Sequence, residues 1–183
     1  MPNPRIYMRL NTLLISLLLS TAPAFASDPL TEATRAIESG RQSQAVQLLT
    51  PLAAAGNPVA QYKLGMLYYL GQGVPEDEKQ AIILWKKAAA LGSTDAMYQL
   101  GSAFLFGSQA AKIVPDPDRE AATWYFQAAS AGHAEAQYHL GLLFLAGKGV
   151  IDSRPEAARW MRKAAAQGHP EAKKALAIIE PGK

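Results

Sequence analysis

The chain of 183 residues contains no cysteine. A disulfide framework, a thiolate metal site and a cysteine nucleophile are therefore all excluded. Histidine is scarce too: His133, His139 and His169 are the whole set. Read linearly, none of them is matched with a carboxylate or a second histidine at metal-ligand spacing, so no metal or cofactor is expected. Serine carries no catalytic context either, since neither G-x-S-x-G nor S-x-x-K followed by K-T-G is present. Nor is there a phosphate loop. Between Gly141 and Gly147-Lys148 stand five residues instead of four, and Gly149 follows where Ser or Thr is needed. On these grounds no catalytic residue is named, and the chain is expected not to be an enzyme.

An excess of charge of one sign is also lacking. Of the 18 Lys and Arg side chains, Arg5 and Arg9 lie in the first 26 residues, which leaves 16 basic against 15 acidic ones. A net charge of +1 gives no electrostatic footprint for nucleic acid or an acidic membrane. A long apolar run is missing as well: LNTLLISLLLS falls short of the ~20 residues that span a bilayer. With Arg5 and Arg9 before it and Ala24-Phe25-Ala26 after it, the run reads as the core of a secretory signal. Cleavage after Ala26 is expected, leaving residues 27–183 as a soluble periplasmic chain; a retained anchor is the alternative.

What the sequence does contain is repetition. AQYKLGMLYYLGQGV at residues 60–74 returns as AQYHLGLLFLAGKGV at residues 136–150, with nine of fifteen positions identical. Glycines that follow alanine clusters stand at Gly56, Gly92, Gly132 and Gly168, at spacings of 36, 40 and 36. Leu-Gly pairs recur at Leu64-Gly65, Leu100-Gly101 and Leu140-Gly141, each followed six residues later by Gly71, Gly107 or Gly147. Such a period marks stacked supersecondary units.

Each unit reads as two helices. Ala81, Leu84, Trp85, Ala88 and Ala89 fall at i, i+3, i+4, i+7 and i+8, and Ala121–Ala129 and Ala157–Ala165 repeat the stripe. Ala60, Leu64, Leu67 and Tyr68 form the matching stripe of a first helix. Asn57-Pro58 opens one helix and the capping box Ser153-x-x-Glu156 another. Gly71, Gly107 and Gly147 are expected to end helices in the left-handed conformation. Pro51 is expected to kink or shorten a helix over 42–55.

The pattern A-x-Y-x-LG-x6-G-x-GV…A-x2-W-x3-AA-x2-G resembles the Sel1-like repeat family, relatives of the tetratricopeptide repeat. The resemblance implies an all-α fold, a right-handed solenoid of antiparallel helix pairs. Full repeats are expected at 56–91, 92–131 and 132–167, a degenerate unit at 27–55, and a capping helix at 168–183. Two departures stand out: Leu84 replaces the tryptophan of the other units, with Trp85 displaced by one, and GSQA replaces GxGV in the second unit.

The resemblance also implies a partner protein held on a concave face lined by first helices. The candidates there are Tyr62, Met66, Tyr69, Tyr98, Leu105, Tyr138, Leu142 and Leu145. Equally, the tyrosines could pack between units. The loop Ser108–Glu120 is a second candidate surface. His133 and His169 read as helix-opening residues, Trp124 and Trp160 as core, and Glu76–Lys79 as a solvated helix start. Family members of this kind resemble envelope adaptors or immunity proteins against secreted effectors; a β-lactam-binding or hydrolytic enzyme is the contrasting class. The free chain is expected to be monomeric.

Overall fold

The computed structural model describes residues 28–180; the expected leader and its cleavage site lie outside them. The described residues form nine α-helices: α1 (Pro29–Glu38), α2 (Gln42–Ala54), α3 (Pro58–Leu70), α4 (Glu78–Ala90), α5 (Thr94–Phe106), α6 (Pro117–Ser130), α7 (Ala134–Ala146), α8 (Arg154–Ala166) and α9 (Pro170–Ile179). A short 3-10 helix, Ala110–Lys112, joins α5 to α6. Each helix packs on its neighbours in sequence, so the fold is a stack of helix pairs. In the three full repeats α3, α5 and α7 are the first helices and α4, α6 and α8 the second.

Local chemistry explains where the helices begin. Side chains cap α1 and α3–α9: Asp28, Asn57, Asp77, Ser93, Asp116, His133, Ser153 and His169 each accept an amide three residues on. Only α2, preceded by Arg41, has no such bond. Ser153 Oγ accepts from the Glu156 amide at 3.3 Å, but the Glu156 carboxylate turns to Arg159, so half of the expected capping box forms. The Asp28-Pro29 opening also creates α1, a helix that the repeat pattern did not reveal.

Two expected helix ends do not occur. Helix α2 runs through Pro51 to Ala54 without interruption and closes just before Gly56, as the other second helices close before their glycines. A proline this close to a helix end removes one backbone bond while flanking packing holds the rest. Gly71 and Gly147 are left-handed (φ +63° and +61°), but Gly107 is extended at φ −74° and ψ 143°. The chain there does not turn back; it runs on into the 3-10 helix.

The two helices of each unit meet at the glycine of the Leu-Gly pair. A Cβ on Gly65 would come within 2.5 Å of Trp85 Nε1; on Gly101, within 2.6 Å of Tyr125; on Gly141, within 2.8 Å of Met161. Trp85, Tyr125 and Met161 are thus equivalent, and all three are fully buried. Trp85 is therefore not a displaced tryptophan but the occupant of a separate position. The position of Leu84, Trp124 and Trp160 lies beside it, and Trp124 is only half-buried, with its Nε1 donating to Glu120 at 2.9 Å. Small residues let the axes approach, and one large side chain fills the gap between them.

Polar ties join successive units. Gln61 Nε2 donates to the Ala53 carbonyl and Gln137 Nε2 to the Ala129 carbonyl, both at 3.0 Å. Within the third unit, Gln167 bridges the Gly132 carbonyl and Gln137 Oε1 at 2.9 Å each.

Candidate functional site

The predicted partner residues sit on α3, α5 and α7, where the repeat brings them to equivalent places. Tyr62, Met66, Tyr69 and Leu105 pack against the cluster around Trp85 and Phe104. Tyr98 and Leu105 pack against Tyr125 and Leu140, and Tyr138 and Leu142 against Met161 and Ala164. These seven side chains are half-buried in the seams, whereas Leu145 is 40% exposed. Each tyrosine therefore packs on one side and keeps another side open, so the two sequence readings share the same residues. Trp85 Nε1 donates to the Tyr62 carbonyl at 3.2 Å, and the Tyr69 and Trp85 rings lie 5.3 Å apart.

Burial decides the protonation of these phenols. It pushes Tyr62, Tyr69, Tyr98 and Tyr125 above the ordinary tyrosine range. Nearby carboxylates add to the effect, Asp95 at Tyr62 and Glu135 at Tyr98 and Tyr125. Tyr125 shifts furthest, although its hydroxyl pairs with Ser102 Oγ at 2.9 Å, which opposes the rise. These phenols act as neutral apolar bodies with a polar edge.

Beside them lies an arrangement that the linear reading missed. His133 and His169 do open α7 and α9, and each Nδ1 accepts the amide of the third residue on, Ala136 or Ala172, at 3.2 Å. Carboxylates one repeat earlier face their other nitrogens. His133 Nε2 stands 3.3 Å from Asp95, and His169 Nε2 donates to Glu135 at 3.0 Å. Glu135 also faces His139 Nε2 at 3.4 Å, one helical turn along α7. Each histidine thus has a carboxylate partner that the linear reading did not give it.

Rings fill the space between these groups. Tyr98 stacks on His133 at 4.8 Å, Tyr125 stacks on His139 at 5.4 Å, and Tyr138 lies 4.6 Å from His169. The Tyr98 hydroxyl reaches His139 Nε2 at 3.5 Å. Burial is the main reason that the His139 imidazole is held below its ordinary pKa; Glu135 opposes it, and the other two histidines assist.

This geometry fixes a tautomer. A neutral imidazole has one N–H, so an Nδ1 that accepts an amide leaves the proton on Nε2. His133 and His169 then have no free lone pair for a metal while they cap. Among the described residues no group of three or more potential ligands is arranged to hold a metal ion. Each cap is worth about 1 kcal/mol, more than a pairing to a solvent-exposed carboxylate, at roughly 0.2–1 kcal/mol.

The second candidate surface, Ser108–Glu120, is anchored by a residue read as solvated. Glu78 is only 8% exposed, and its carboxylate accepts the Ala110 amide at 2.7 Å and the Gln109 amide at 3.0 Å. In the first and third units the glycine loop instead rests on the preceding second helix, Gly73 on Gln42–Ser43 and Gly149 on Asp118–Arg119. The Glu78 carboxylate thus replaces a glycine contact where GSQA replaces GxGV. A cleft of about 560 Å³ lies elsewhere, between α8 and α9, lined by Arg162, Lys173, Leu176, Ala177 and Glu180.

Comparison with known proteins agrees with this architecture. The Sel1 repeat family matches residues 58–93, 94–133 and 134–169. The chain is similar to the crystal structure of a Sel1 repeat protein from Oxalobacter formigenes, at 29% identity and a TM-score of 0.76, covering 84% of this chain and 61% of that one. It is also similar to c5321, a protective antigen of uropathogenic Escherichia coli strains with an SLR fold, at 34% identity and a TM-score of 0.71, covering 82% of this chain and 32% of that one. Cysteine rich protein B of Helicobacter pylori shares the fold, at 20% identity and a TM-score of 0.53, with 82% and 98% covered. The chain thus spans less than two thirds of each of the first two structures. A search of curated proteins finds no significant match. From the three-fold Leu-Gly packing and the matched residues together, the chain belongs to the Sel1 repeat family.

Proposed function

We propose that the protein is a periplasmic docking module that holds a partner protein on the concave face of its first helices, by shape and surface chemistry alone. Sel1 repeats typically serve protein–protein interaction, and the family is generally a non-catalytic scaffold. One observation carries the choice of face. Tyr62, Tyr98 and Tyr138, with Met66, Tyr69 and Leu142, are held half-open at repeating positions on rigid paired helices. Aromatic and methionine side chains with little freedom left to lose suit an interface. The signal-like residues 1–26 support the location, and no described helix is long and apolar enough to cross a membrane.

The test is crosslinking and affinity capture from the periplasm with the wild type, Leu145→Asp and the Tyr62→Ala/Tyr98→Ala/Tyr138→Ala variant. Circular dichroism must show that each variant is folded. Loss of the captured protein supports the reading; unchanged capture by folded variants overturns it. The partner separates the two roles: an envelope protein marks an adaptor, a secreted toxic effector an immunity protein. Hydrolysis of a β-lactam or ester by the pure protein, abolished by one serine or histidine change, would replace both.

A further inference from the structure

We propose that His133, His139 and His169 form an acid-sensitive latch that holds α7 and α9 in the stack at neutral pH and loosens them on mild acidification. The inference rests on the chain's own stability and does not depend on the partner reading. All three histidines of the protein fall in one array, within the C-terminal half of the stack. The equivalent caps in the N-terminal half are Asn57 and Ser93, which do not titrate in this range.

Protonation acts on the cap directly. A proton taken from solvent onto Nδ1 removes the lone pair that accepts the Ala136 or Ala172 amide. It also sets a positive charge at the positive end of a helix dipole. Every charged group facing the histidines must be weighed against this. From α5 come Asp95 and the Tyr98 ring; from α6, Tyr125; from α7, Glu135 and Tyr138; from α9, Glu171. No ion pair or ring contact joins these histidines to α8 among the described residues.

The carboxylates cannot compensate in full. Glu135 faces both His139 and His169, so one carboxylate is shared by two imidazoles. Asp95 is mostly in solvent, with 61% of its side chain exposed, where attraction to an imidazolium is weak. Glu171 stands 3.6 Å from His169 Nδ1, and a protonated nitrogen reaches it only by giving up the Ala172 amide.

Amide hydrogen exchange at pH 7.5 and pH 5.0, above the carboxylate range, tests the latch. The protection factors of Ala136 and Ala172 are expected to fall about fivefold or more relative to those of Ala60 and Ala96. The variant His133→Asn/His139→Gln/His169→Asn, which keeps an Asn57-type cap, should lose that difference. A uniform fall at all four amides, no fall at all, or an undiminished difference in the folded variant would each overturn the proposal. The four-amide comparison in the wild type decides the matter even if the variant does not fold.

Discussion

The indole of Trp85 lies directly over Gly65, so close that a Cβ there would sit 2.5 Å from Nε1. The same nitrogen donates to the Tyr62 carbonyl at 3.2 Å, which fixes the ring against the first helix. Tyr125 over Gly101 and Met161 over Gly141 repeat the arrangement with other side chains. The distance between the two helices of a unit is thus set by one missing methyl group and one large residue.

Adding that methyl group should force the helices apart. Gly65→Ala is expected to cost about 1–3 kcal/mol by overpacking, and Trp85→Ala about 3–5 kcal/mol by opening a cavity. Urea unfolding followed by circular dichroism measures both. A neutral Gly65→Ala would show that the seam is loose.

Glu78 should matter more than its place in an acidic stretch suggests. Glu78→Ala leaves the Gln109 and Ala110 amides without their acceptor, at a cost of about 1–3 kcal/mol. Limited proteolysis should then cut after the exposed Lys112 sooner than in the wild type, while Glu76→Ala changes nothing. Equal cleavage rates in all three proteins would dismiss the anchor.

The N-caps offer a graded series. Asn57→Ala removes the acceptor of the Ala60 amide at 2.9 Å and should destabilise by about 1 kcal/mol. Asp28→Ala, at the exposed start of the stack, should cost less, because helix ends fray there. Comparison of urea midpoints separates the two.

Alkaline pH should weaken the fold through the buried phenols. Tyr125 and Tyr98 ionise less readily when folded than at the ordinary value of 10.0. The stability from keeping them neutral is fully present below pH 10 and is lost as pH rises toward their folded values. The urea midpoint should therefore fall steeply above pH 10, and Tyr125→Phe should flatten that fall. An equal slope in Tyr125→Phe would assign the effect to other groups.

Much of this was legible in the sequence because it is local. A capping side chain, a proline at the first helical position and an i, i+3, i+4 stripe act between near neighbours along the chain, and Asn57, Pro58 and the Ala81–Ala89 stripe announced themselves that way. The period of Gly56, Gly92, Gly132 and Gly168 then dictated stacking, since one helix pair cannot bury its own apolar face. Three signals misled for a physical reason. Gly107 looked like its counterparts but meets the Glu78 carboxylate, Pro51 lies where few backbone bonds remain to be broken, and Trp85 was judged by the wrong column of the repeat.

What only the tertiary structure decided are the pairings across units. His133 with Asp95, His169 with Glu135 and Glu78 with Ala110 join residues 38, 34 and 32 positions apart, about one repeat. The sequence by itself determined the period, the helices and their caps, because those depend on neighbours along the chain. Which nitrogen of a histidine accepts an amide, and which carboxylate accepts from the other, depends on how one unit settles on the next. Stacking alone brings those groups within hydrogen-bonding reach, and there burial and charge set their chemistry.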